Sequence, residues 1–199
     1  MSSSSRSAAR RDEILAAAVR VFARRGFHTC RVSDVAREAG VSHGLVYHYF
    51  ASKDELLETI FRENWGPTAT AIEGIAAADD EPSAQIRKVA AVVLHSWRRD
   101  QDTVRVLVRE ISRSPGLQER IDEFQRAFDA LETIIVRGQA AGAFDAELDP
   151  RFATYALWGT LDEILTGWVL GRLPGADGDA ALAEATVTAM LRRALSAGR

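Results

Sequence analysis

The chain has 199 residues, one cysteine, five prolines, 47% hydrophobic residues and a formal charge of −3. That length supports one or two domains with a real core. A single cysteine excludes an internal disulfide and suits a reducing cytoplasm, and the longest apolar runs, such as residues 89–94, are far too short to span a bilayer. The charge is unevenly spread: residues 1–53 carry nine Lys/Arg against four Asp/Glu, a balance of +5, and residues 54–199 carry sixteen against twenty-four, a balance of −8. A basic N-terminal quarter on an acidic remainder suits contact with nucleic-acid phosphates; chance clustering of solvated arginines is the plain alternative.

Taken in chain order, the elements read as all-α. Residues 1–11 are rich in Ser and Arg without an apolar centre, so they are not a secretory signal and read as a disordered arm. A first helix is expected over residues 8–25, with Ile14, Ala18, Val21 and Phe22 facing inward and Gly26 as its stop. Residues 33–50 then carry the strongest local signal. Val35, Ala36 and Ala39 form an apolar stripe; Gly40 tolerates a left-handed backbone; Ser42 can cap a second short helix. On that second helix Val46 and Phe50 face inward, while His43, Tyr47 and His48 face out. Two short helices around a glycine corner make a helix-turn-helix, the device that lays one helix in a major groove. Residues 52–55, Ser-Lys-Asp-Glu, match a capping box that opens the next helix.

That next helix is expected from Lys53 through Trp65, with Gly66-Pro67 bending or breaking it and a resumption to residue 78. Further helices are expected over residues 83–99, 102–112, 117–141, 151–171 and 178–197, about nine in all, with a stop at Pro115-Gly116. The domain reading is a disordered arm at 1–11, a helix-turn-helix domain at 12–52 and a larger helical body at 53–199.

Residues 14–57 resemble the DNA-binding domain of TetR-family transcriptional regulators. The resemblance is carried by Ile14, Ala18, Phe22, Gly26 and Phe27, then Asp34, Val35, Ala36, Gly40, Val41 and Ser42, then Tyr47, Tyr49, Phe50, Lys53 and Leu56. Cys30 departs from the usual Thr, and His43-Gly44-Leu45 occupy variable positions. The resemblance implies that His43, Gly44, Tyr47, His48 and Lys53 touch a double-stranded operator, with Ser33 and Ser42 as further phosphate candidates. Tyr47 and His48 offer a hydroxyl or ring nitrogen to phosphate, or an apolar face to a thymine methyl. The recognition helix has no Arg, Asn or Gln, so bidentate base reading is absent from it and shape readout gains weight. The resemblance also implies a homodimer through the last two helices. Small residues such as Gly159, Ala181 and Ala185 permit a close seam there, although the same seam could pack within one subunit.

The body holds all four tryptophans. Trp97, Phe128, Tyr155, Trp158 and Trp168 are candidates to line an apolar effector cavity, against ordinary core packing. Arg105 and Arg109 follow at i, i+4 beside Arg98, Arg99 and Arg113, either as a solvated face or as an anion-binding mouth. Residues 162–170, Asp-Glu-Ile-Leu-Thr-Gly-Trp-Val-Leu, are similar to a segment in TetR-type regulators of fatty-acid degradation, whose effectors are acyl-CoA thioesters. The expected function is therefore a repressor released from its operator by a small hydrophobic effector, with long-chain acyl-CoA as the candidate and no cofactor. An effector-independent DNA binder is the alternative. A helical-bundle enzyme is disfavoured: none of His28, His43, His48 and His95 follows a Glu by three residues, and no zinc spacing, phosphate loop or nucleophile elbow appears.

Overall fold

The computed structural model describes residues 3–111, 113–114, 117, 121–175 and 178–195. Among these residues there are nine helices and no strand: α1 Ser3–Arg25, α2 Val32–Ala39, α3 His43–Tyr49, α4 Lys53–Ala77, α5 Pro82–Arg99, α6 Gln101–Glu110, α7 Ile121–Ala140, α8 Pro150–Val169 and α9 Asp179–Leu195. The all-α reading is met. The expected stop at Pro115-Gly116, residue 112, residues 118–120 of the helix expected from 117 and the end of the last one lie outside the described residues.

Two expectations need correction. The arm over residues 1–11 is helical from Ser3. Side-chain ties hold it there: Ser7 Oγ lies 3.2 Å from Tyr49 Oη, and Arg11 pairs with Glu63 while its guanidinium sits 5.5 Å over the Phe50 ring. The fourth helix is not interrupted at Gly66-Pro67 but runs on to Ala77. Proline inside a helix costs one hydrogen bond and about 3 kcal/mol. Trp65, Ala69, Ile72 and Ala76, all buried on the stripe that continues through the proline, outweigh that cost.

The chain forms two compact units: Met1–Asn64 with Asp102–Glu119, and Trp65–Gln101 with Arg120–Arg199. The core of the first is built on Ile14, Phe22, Val35, Val46, Leu56 and Phe61. Phe22 and Phe27 meet edge to face at 5.3 Å where α1 ends. In the second, α5 packs against α7, α8 and α9, and α8 against α7 and α9, over Val89, Leu94, Leu131, Ile135, Leu157 and Leu161. Gly138 is required in that unit: an added Cβ would lie 2.1 Å from the Phe144 ring, which is itself buried. Asp149 Oδ1 caps α8 by accepting from Phe152 N–H at 3.0 Å, with Pro150 at the first helical position. No helix among the described residues is long and apolar enough to cross a membrane.

Candidate nucleic-acid interface

The α2–α3 corner closes as its residues require. Gly40 adopts φ +66°, a left-handed conformation that an L side chain resists, and Val41 N–H donates to Ala36 C=O at 3.0 Å. Ser42 Oγ accepts from Leu45 N–H at 3.2 Å and so starts α3. With that start, Val46 and Phe50 are sealed inside. Ser33, Ser42, His43, Gly44, Tyr47 and His48 are all exposed, and Tyr47 keeps 47% of its surface accessible. The rings on this face are organised in pairs: His43 on Tyr47 at 4.9 Å and His48 on Tyr49 at 5.1 Å, both edge to face. Space is open around the Gly44 Cα.

The frame under α3 is held by ion pairs. Arg20 Nε donates to Glu38 at 2.8 Å, and Arg24 binds the same carboxylate. Asp34 accepts from Arg25 at 2.8 Å, from Arg37 at 3.4 Å and from the Arg31 N–H at 3.0 Å. Asp34 is held below the usual carboxylate range, first by that backbone N–H and then by the arginines. Glu38 is lowered by its hydrogen bonds from Arg20 and Arg24. Both acids are thus stably charged braces between α1 and α2, and the rings of α3 stand on a fixed base. Sequence reasoning missed these braces. The partners that tie α2 to α1, Arg20, Arg24 and Arg25, lie 9 to 18 residues from their acids, and no local spacing announces them.

Lys53 is placed differently from the other candidates. It is half-buried, and its ammonium donates to the carbonyls of Phe27 at 2.7 Å and Cys30 at 3.1 Å. Nearby, burial pushes the Cys30 thiol up.

α6 from Asp102 onward belongs to the same compact unit. Arg109 Nη1 donates to Ala23 C=O at 3.2 Å, one of the carbonyls a helix end leaves without a ladder partner. The buried Glu110 carboxylate lies 3.2 Å from His28 Nε2. Arg105 pairs with Asp102 at 2.7 Å. Both arginines proposed as anion contacts therefore already have partners.

The five aromatic candidates lie in the second unit and form two groups. Phe128 meets Tyr155 at 4.8 Å and Trp158 at 5.4 Å. Trp158 continues to Trp65 at 5.3 Å, and Trp65 to Phe124 at 4.9 Å. Trp97 and Trp168 stack on each other at 6.1 Å, each only 5% exposed. A small cleft lined by Ser83, Ile86, Phe144, Thr188, Arg192 and Leu195 holds room for about one water and includes none of the candidates. One further surface stands out: Phe152 (77% accessible) and Tyr155 on α8, Leu170 at its C-terminal cap, and Leu182 (66%) and Met190 on α9 are large apolar side chains left open to solvent.

Comparison with known proteins places this geometry. Residues 14–60 match the family described as bacterial regulatory proteins, tetR family, and residues 79–194 match the tetracyclin repressor-like C-terminal domain. The chain is 31% identical over 163 residues to a fatty acid metabolism regulator protein of Bacillus subtilis, covering 79% of this chain and 82% of that protein. Among solved structures, the fatty acid degradation regulator FadR from Bacillus halodurans matches with a TM-score of 0.79 at 27% identity, over 92% of this chain and 98% of that one. FadR from Bacillus subtilis in complex with stearoyl-CoA matches with a TM-score of 0.78 at 27% identity, over 90% and 96%.

Proposed function

The chain belongs to the TetR family of bacterial regulatory proteins, and on that premise we propose that it is an operator-binding repressor released by an acyl-CoA. It is a transcription regulator related to fatty acid metabolism regulators, not an enzyme. The observation that carries the DNA-binding part is the exposed α3 face of His43, Tyr47 and His48 on a frame braced by Asp34 and Glu38. A helix about 10–12 Å across fits a major groove about 12 Å wide. His43, Gly44, Tyr47 and His48 enter that groove, and Ser33 and Ser42 reach flanking phosphates. The chain acts as a homodimer through α8 and α9. That reading is supported by the apolar side chains open on both helices, and two reading heads on one axis let the half-sites add their binding energies.

The effector reading is supported by the stearoyl-CoA complex of the Bacillus subtilis relative. Trp97, Phe128, Tyr155, Trp158 and Trp168 are the proposed apolar contacts. DNA and effector favour different states of one equilibrium, so that binding of one weakens binding of the other.

Selection of genomic fragments by the purified protein yields the operator. Tyr47→Ala is expected to lower specific operator affinity roughly 10- to 100-fold with the helical circular dichroism unchanged. Retained tight binding overturns the assignment of α3. Titration with stearoyl-CoA is expected to change tryptophan fluorescence and release the operator; a protein that stays bound and spectrally silent rejects the effector but leaves the DNA reading in place.

A further inference from the structure

We infer that the first turns of α1 make a further DNA contact, in which Arg6 and the hydroxyl pair of Ser7 and Tyr49 hold a backbone phosphate at the edge of the groove read by α3. The inference rests on α3 being the DNA-reading helix. Arg6 and Ser7 lie before residue 14, where the family match begins, so the resemblance does not supply them. Residues 1–11 hold three arginines and no acid. Residues 5–10 are helical yet exposed at every position. A helix in a folded protein is held chiefly by an apolar face packed on its neighbours, and residues 5–10 bury none. What ties them to the rest of the head is polar. Ser7 Oγ lies 3.2 Å from Tyr49 Oη, and one turn later Arg11 pairs with Glu63 and sits 5.5 Å over the Phe50 ring. A surface held out in this way, without a packing reason, fits a partner of opposite charge.

The chemistry of the pair suits a phosphate oxygen. Two hydroxyls carry two protons, and one proton is enough to span the 3.2 Å between them. The other is free to donate outward, since Ser7 is exposed and Tyr49 only half-buried. Charge comes from Arg6. Its neighbours are committed, Arg10 to Glu13 at 2.6 Å and Arg11 to Asp12 at 3.2 Å and to Glu63. Arg6 is exposed and makes no ion pair among the described residues. Tyr49 is the last residue of α3, whose 7 residues span about 10 Å. The major groove is about 12 Å wide, so the end of a helix seated across it comes close to the phosphate strand at its border. Serine, tyrosine and arginine are all phosphate donors, and the arginine adds a charge-assisted bond. α3 carries no Lys or Arg of its own, and Arg6 supplies a cation beside its end.

The test measures the full-length protein by fluorescence anisotropy on the selected operator and on scrambled duplex, over a salt series. Loss of one phosphate contact by a cation lowers the slope of log affinity against log salt by about 0.9. For Arg6→Gln we expect that fall once per bound head, with specific and non-specific affinity weakened alike, roughly tenfold at low salt. Arg6→Lys should restore the slope. Ser7→Ala keeps a good helix former and should weaken both affinities roughly threefold with the slope unchanged, since the lost donor is neutral. Ethylation interference should reveal one phosphate per half-site that matters to the parent and no longer matters to Arg6→Gln. An Arg6→Gln slope equal to the parent's overturns the inference, as does a Ser7→Ala affinity equal to the parent's. Failure of the premise looks different: operator binding that survives Tyr47→Ala removes α3 as the reading helix, and this inference with it, whatever Arg6 does.

Discussion

The two compact units use their aromatic and charged residues in opposite ways. In the first, the acids Asp34 and Glu38 are consumed in braces with Arg20, Arg24, Arg25 and Arg37, and the rings of α3 are left outside. In the second, most of the rings are turned on one another, Phe128 on Tyr155 and Trp158, Trp97 on Trp168, while Phe152 and one side of Tyr155 stay open to solvent. A ring held in solvent on a braced frame has no packing reason to be there, so its presence points to a partner. A ring packed on other rings serves a core and a cavity equally well, and geometry alone does not separate the two uses.

The contrast is tested hardest at the apolar surface of α8 and α9. Phe152→Glu combined with Leu182→Glu places two charges where large apolar groups now face solvent. Neither site is buried in the monomer, so folding should be nearly unaffected. If those helices are the dimer seam, sedimentation should give half the parent mass, and operator affinity should fall by roughly a thousandfold or more as one half-site is lost. An unchanged mass moves the dimer elsewhere.

Next in size is a pairing of one variant from each unit. Trp65→Ala removes a ring buried among Trp158 and Phe124, and should cost about 3–5 kcal/mol of stability. Tyr47→Ala should cost about 0.5 kcal/mol or less, with its whole effect on DNA. If Trp65→Ala instead proves mild and abolishes the fluorescence response to stearoyl-CoA, the ring cluster is a binding wall more than a core. That outcome would erase half of the contrast.

What the sequence disclosed follows the same divide. The glycine corner, the Ser42 cap, the inward Val46 and Phe50 and the outward His43, Tyr47 and His48 were legible because each depends on residues within one helical turn. The helical N-terminus, the passage of α4 through Pro67 and the engagement of Lys53 were not, because each is decided by contacts made far along the chain: Ser7 with Tyr49, the buried stripe after Trp65, and Lys53 with Phe27 and Cys30. Arg105 and Arg109 were legible as a pair on one helix face. Asp102, the partner of Arg105, lies one turn away on the same helix, whereas the partner of Arg109, Ala23 C=O, was visible only in three dimensions.

The smallest expected effect concerns the braces themselves, and it has a definite sign. The carboxyls of Asp34 and Glu38 have folded-state values below their ordinary ones, about 3.9 and about 4.3 in the unfolded chain. A depressed acid stabilises the folded form in full above its unfolded value and loses that contribution as pH falls through the folded one. The braces should therefore be insensitive to pH above about 5 and weaken progressively below about 4. Exchange of the α2 and α3 amides should rise on acidification by up to about fivefold more than the overall opening of the protein, since exposed pairs are individually weak. Glu38→Gln should show part of that rise already at pH 7 and a shallower response to acid. An acid response equal in parent and variant would mean that Glu38 does not hold α2, and that the rings of α3 owe their position to the apolar side chains beneath them.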